Sequence, residues 1–152
     1  MIKKAEKTDV PKLVCLYNQV TDKLIKRGIQ QWRYPWTEQQ IENILPMLFL
    51  LKKSERIIGS MSISEMENFH AHHFDAPVLF IGKIAIHPEY QGQGILDRLF
   101  AFAQNKGEFE QKEVYFDCWA GNEKLVTYYK KKAAYIKNVE EAGYETALFQ
   151  LK

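Results

Sequence analysis

The residues that invite chemistry first are Gln91-Gly92-Gln93-Gly94-Ile95-Leu96. They follow the apolar run Val78–Ile86 and the turn His87-Pro88, and an amphipathic pattern starts at once behind them. A strand that runs straight into a helix aims the helix's unpaired N–H groups, and its partial positive charge, at one point. Glycines there remove side chains and let an anion approach the backbone. Gln91 to Leu96 therefore reads as an anion cradle. It is not a P-loop, because no Lys-Ser or Lys-Thr follows the glycines. It is a poor dinucleotide fingerprint, because the third glycine of that motif would fall at Asp97.

Other residue types offer further chemistry. Glu65, near the end of a strand pattern, and Asp117, within another, are the carboxylates considered for a general base. Tyr128 and Tyr129 lie on a helical pattern behind Asn122. Trp32, Tyr34 and Trp36 alternate in a Pro-containing loop, and such walls suit an apolar or cationic ligand. His70, His72, His73 and Asp75 raise a metal reading, but their spacing suits no common structural site and no cysteine accompanies them. No metal is expected.

The elements that must position these groups can be read along the chain. Ile2–Ala5 opens as a strand. Thr8 is a helix cap with Pro11 in the first turn; Leu13, Leu16, Val20 and Leu24 recur at helical spacing, and Gly28 stops the helix. Thr37 and Gln40 form a capping box for a short second helix, ended at Pro46. "MLFLLKK" and "RIIGSMSISEM" form a hairpin, "ENFHAHHFDAP" a polar loop, and Val78–Ile86 a long strand expected in the sheet centre. A helix from Gly94 to Lys106, ended by Gly107, carries Ile95, Leu96, Leu99, Phe100, Phe102 and Ala103 on its apolar side. "EVYFDCWA" is a strand, Asn122 caps the next helix, and "AYIKNV" and "YETALFQL" are the last strands. The fold class is α/β (α+β): a mixed, mostly antiparallel twisted sheet of about seven strands with about four helices on both faces. The 152 residues fit one domain, 1–152.

A net charge of +2 is too weak to imply nucleic acid or a membrane surface. Cys15 and Cys118 read as buried small hydrophobes, without the spacing of a zinc site. The N-terminus lacks the apolar stretch of a signal peptide, and no apolar run is long enough to span a membrane; the expected location is the cytoplasm.

The block "AIHPEYQGQGIL" resembles the hallmark of the GNAT superfamily of N-acetyltransferases, Gln/Arg-x-x-Gly-x-Gly/Ala after a strand ending in a "HP" turn. "RGIQQW" with the following "YP" resembles the early segment of one bacterial branch, and "DCWAGNEKLVTYY" the family's later strand and helix. Leu96 stands where the hallmark usually has Gly or Ala, and its bulk is expected to crowd a bound phosphate. The resemblance implies a GNAT-type fold and an acetyl-CoA-dependent transfer to a primary amine, in a ternary complex. It implies that Gln91, Gly92, Gln93, Gly94, Ile95 and Leu96 hold the pyrophosphate. Ile84, Ala85 and Ile86 would run beside the pantetheine arm, with Asn122 as a cap that also touches the coenzyme or only caps. Tyr129 would be the general acid, with Tyr128 as its alternative. Trp32, Tyr34 and Trp36 would border the acceptor, a small molecule or peptide. A homodimer through the last strands follows from the same resemblance. The alternative is a protein that binds coenzyme A, or senses a ligand, without turnover.

Overall fold

The computed structural model describes residues 1–29 and 31–152. Gln30, inside the "RGIQQW" stretch, lies outside the described residues. Seven strands, β1 (Ile2–Lys4), β2 (Leu48–Lys53), β3 (Arg56–Phe69), β4 (His72–Ile86), β5 (Val114–Trp119), β6 (Ala134–Glu141) and β7 (Tyr144–Leu151), form one sheet. Four α-helices accompany them: α1 (Val10–Lys26), α2 (Glu38–Ile44), α3 (Ile95–Glu110) and α4 (Glu123–Lys130). The strand order is β1-β2-β3-β4-β5-β7-β6. β4 and β5 pair in parallel, while β1–β2, β2–β3, β5–β7 and β6–β7 are antiparallel. This is the expected mixed sheet, and β4 sits at its centre as expected.

Two compact units divide the chain: Met1–Ser62 with Lys83–Leu99, and Ile63–Gly82 with Phe100–Lys152. In the first, α1 turns Leu13, Leu16, Tyr17 and Val20 onto Leu48, Leu50, Ile57 and Ala85. Ile41 of α2 is fully buried in the same cluster. The α2 cap is the reciprocal box that the sequence predicts: Gln40 N–H donates to Thr37 Oγ1 at 3.2 Å, and Thr37 N–H to Gln40 Oε1 at 2.8 Å. In the second unit, Phe69, Val78, Phe80, Tyr115, Val139 and Leu148 make one cluster.

Four expectations are corrected. Thr8 does not cap α1; it lies in a 3-10 turn, Lys7–Asp9, where Asp9 Oδ2 accepts from Glu6 N–H at 2.9 Å. Cys15 is exposed, because it falls off the α1 face that carries Leu13, Leu16 and Tyr17. "ENFHAHHFDAP" is not a loop: β3 runs to Phe69, β4 starts at His72, and His70 makes the turn with φ 52°. Phe69 stacks on Phe80 at 4.7 Å, so a polar stretch is carried by a few aromatic anchors. Gly107 does not end α3, which continues to Glu110. A Cβ on Gly107 would meet Val114 at 2.5 Å and the Lys112 carbonyl at 2.8 Å, so the glycine serves close packing.

Candidate functional site

The cradle is built at the junction of β4 and α3. The His87 main chain donates to the Ile58 carbonyl at 2.9 Å. His87 is buried, its Nδ1 accepts from Glu89 N–H at 3.1 Å, and its Nε2 meets the Arg56 guanidinium at 3.0 Å. Burial, then the Arg56 charge, hold the imidazole pKa below its ordinary value, so the ring that receives this N–H is neutral. Arg56 also pairs with Glu89 at 2.5 Å. This clip shapes the turn into the two glycines.

Gly92 and Gly94 both have φ 78°, the left-handed region that other residues enter at a cost. A Cβ on either would meet nothing within 4 Å, so the backbone there is open as well as turned. α3 begins at Ile95, so the main-chain N–H groups of Ile95 and Leu96 lie ahead of its hydrogen-bond ladder and have no acceptor within the helix. The Arg98 N–H reaches the Gly94 carbonyl at 3.2 Å. Leu96 is 8% exposed, so its side chain is packed among protein atoms rather than standing in the cradle. A phosphate group fits this arrangement: it needs donors without partners, and it needs room.

Ile84, Ala85 and Ile86 close β4 within the same unit, with Ala85 in the core cluster. The ladder between β4 and β5 ends at the pair Ile81–Phe116. Just beyond it Lys83 has φ 49°, a strand residue in the left-handed region. The Lys83 carbonyl accepts from the Tyr17 hydroxyl at 2.6 Å, and the same hydroxyl contacts Ser60 Oγ at 3.2 Å.

Tyr17 also braces the tryptophans. Its ring lies 5.6 Å from Trp32 and 5.2 Å from Trp36, and the two indoles meet edge to face at 5.8 Å. Trp36 is further pinned by Asn18, which accepts its main-chain N–H at 2.6 Å, and by Thr21, which accepts its indole N–H at 3.0 Å. Tyr34 is 48% exposed and stands apart from this cluster's core. Gln31, Trp32, Arg33, Trp36, Gln40 and Lys83 line a cavity of about 250 Å³. Sequence reasoning found the tryptophans but missed Arg33, Gln40, Lys83 and Tyr17. A lysine directly after a glycine inside a strand was the one available signal.

In the second unit, Tyr129 on α4 is buried against Phe116 at 4.9 Å, Phe149 at 5.7 Å and Phe100 at 6.1 Å. Burial, helped by the neighbouring Cys118, Tyr128 and Asp117, raises its pKa well above that of a free phenol. Tyr128, by contrast, is 41% exposed, with Lys132 over its ring. Cys118 is buried and its thiol is pushed up to about 12 by desolvation and by Asp117. Asn122 caps α4, its Oδ1 accepting from Leu125 N–H at 3.2 Å. Glu65 is ion-paired with Lys112 at 2.7 Å, beside the start of β5. Of the histidines, His70 pairs with Glu141 at 2.9 Å, His73 with Asn68, and His72 packs on Phe74. Among the described residues no group of three or more His, Cys, Asp or Glu is placed to hold a metal ion, and no helix is long and apolar enough to cross a membrane.

The family model described as "Acetyltransferase (GNAT) family" matches residues 16–135. No curated protein matches the chain. Solved structures share its fold. A GNAT-family acetyltransferase from Listeria monocytogenes 4b F2365 is 18% identical, over 99% of this chain and 94% of its own, with a TM-score of 0.75. A GNAT-family acetyltransferase from Streptococcus agalactiae 2603 is 16% identical over 99% and 94%, with a TM-score of 0.76. The PaiA N-acetyltransferase from Thermoplasma acidophilum, solved in complex with coenzyme A, is 14% identical over 99% and 98%, with a TM-score of 0.71. At these identities the likeness is one of fold.

Proposed function

Because this chain belongs to the GNAT acetyltransferase family, we propose that it moves an acetyl group from acetyl-CoA to a primary amine by direct attack, with both substrates held at once. The observation that carries this reading is the cradle at Gln91–Leu96: two left-handed glycines with open space beside them lead into the first turn of α3, where the N–H groups of Ile95 and Leu96 precede the hydrogen-bond ladder. They would hold the pyrophosphate. Main-chain groups of Ile84, Ala85 and Ile86 would hold the pantetheine amides, and Asn122, whose Oδ1 is committed to its cap, retains its N–H2 for a contact. Bound acetyl-CoA supplies an activated thioester.

The remaining chemistry is proton handling by the chain. A lysine-like amine is neutral in only about 0.04% of molecules at pH 7, so its proton must be removed or disfavoured. The phenol of Tyr129 keeps its proton at any physiological pH and is the group assigned to protonate the departing sulfur. Cys118, held as a neutral thiol, is a poor nucleophile, which supports direct transfer over an acetyl-enzyme. Glu65→Gln tests the base: an unchanged acid limb of the pH–rate profile removes Glu65 from the role. The reaction belongs in the cytoplasm on this reading, and the edge strand β6 with β7 is the surface for a homodimer.

Calorimetric titration with acetyl-CoA, beside a Gly94→Asp variant, tests the whole. Micromolar binding that the variant loses is the expected result; absence of binding to the wild type sinks the reading. Coenzyme binding without turnover is the second reading, favoured by one observation: the Glu65 carboxylate is already occupied by Lys112. Thiol release with any member of an amine panel rejects it.

A further inference from the structure

The cavity beside Trp32 and Trp36 carries two cationic side chains, Arg33 and Lys83, and no carboxylate. Among the described residues neither cation takes part in an ion pair. The neutral groups add to this one-sidedness. Gln40 Oε1 is used by Thr37, through the main-chain N–H at 2.8 Å and the hydroxyl at 3.3 Å, which leaves its N–H2 as the unspent end. The Trp36 indole N–H is used by Thr21, so its contribution to the wall is an apolar ring. The cavity thus offers positive charge and N–H donors set between aromatic faces.

Its aromatic wall is braced. Lys83 takes its place through a left-handed backbone, φ 49°, whose carbonyl is tied to the buried Tyr17 hydroxyl. The same Tyr17 ring supports both tryptophans. A wall braced in this way is preorganised for a ligand. The ligand such a wall selects is an anion, because a carboxylate or phosphate satisfies guanidinium and ammonium donors together, whereas a second ammonium is repelled.

We propose that the acceptor bears an anionic group beside its amine, as a free amino acid does, and that Arg33 and Lys83 select it. This rests on the acetyltransferase reading for its purpose, but not for its test. It narrows the range of acceptors and turns away polyamines and other polycations.

The test uses the intact protein and matched ligands: L-phenylalanine, its amide, phosphoethanolamine and spermidine. Binding is read from tryptophan fluorescence, since Trp32 and Trp36 face the cavity. Phenylalanine or phosphoethanolamine is expected to bind at least about tenfold tighter than the amide or spermidine, and Arg33→Gln is expected to remove most of that preference. The two anionic probes separate a carboxylate from a phosphate preference. Lys83→Gln is the second variant. Because Lys83 has a strained backbone and Arg33 lies on an exposed loop, agreement of the two excludes a folding artefact. Equal affinity for acid and amide, a preference for spermidine, or no response to any probe up to millimolar overturns the proposal. So does a loss of acetyl-CoA affinity in Arg33→Gln, which would assign the cations to the coenzyme's own phosphates. Anion-selective binding without thiol release from acetyl-CoA would leave the inference standing and sink the transfer reading.

Discussion

The two units place their chemistry in opposite kinds of surroundings. In the first, the groups proposed to bind are the main-chain N–H groups of the cradle and the cations around an open cavity, all outside the Leu13–Leu50–Ala85 core. In the second, the proposed proton donor is a side chain within the packing itself. Tyr129 sits among Phe100, Phe116 and Phe149, and Cys118 is buried. Recognising charge needs donors with nothing to bond. Keeping a proton needs a group sealed from water. The first unit can therefore lose binding and stay folded, while the second cannot lose its aromatic neighbours without loss of stability.

The strongest blow to this contrast would come from Phe116→Ala. Phe116 is fully buried and touches Tyr129, Phe100 and Phe149, so about 3–5 kcal/mol of stability should go, read from the urea midpoint. A loss under about 1 kcal/mol would show the nest is not structural. Tyr129→Phe separates packing from chemistry at one position: kcat should fall about 100-fold while the acetyl-CoA Kd holds. An unchanged kcat assigns the tyrosine to packing alone.

Asp9→Asn probes the first unit's stability away from its cradle. Burial tends to raise the Asp9 carboxyl, but Lys52 at 2.9 Å and the Glu6 N–H outweigh it and hold the pKa below its ordinary 3.8. The unfolded chain therefore takes up this proton first. The stabilisation is complete above about pH 4 and is lost as pH falls through the folded value. The variant should be about 1–2 kcal/mol less stable than wild type near neutrality, and the gap should close in acid. A gap that persists unchanged at low pH would mean the carboxylate charge is irrelevant. The smallest expected effect is Gly92→Ala, about 1 kcal/mol in stability for the left-handed backbone, together with roughly tenfold weaker coenzyme binding by titration. Full affinity in that variant would separate the cradle from its glycines.

Sequence served best where local chemistry decides structure. Thr37 and Gln40 cap each other within four residues, and Asn122 reaches its own helix, so both were legible. The two glycines of the cradle were legible because only a left-handed turn needs them at that spacing. The hairpin at His70 was not, since its polar alternation is sustained by Phe69 and Phe80, eleven residues apart in the chain. Gly107 misled because its reason is Val114 and the Lys112 carbonyl, a tertiary contact that a helix-stop rule does not contain. Arg33 and Lys83 were not legible. They lie far apart in the chain, and their meeting around one cavity is a tertiary matter that no periodicity announces.

The first unit is assembled from two stretches of chain, Met1–Ser62 and Lys83–Leu99. A ribosome delivers the first stretch well before the second. Until Ala85 emerges, the cluster of Leu48, Leu50 and Ile57 lacks a member, and until Ile95 and Leu99 emerge, Gly59 lacks the side chains that lie against it. Neither unit can be cut out as a continuous fragment, because Ile63–Gly82 of the other unit interrupts the first. During synthesis, then, the nascent chain carries sticky strands past its own midpoint, and it is there that a holding chaperone would find it.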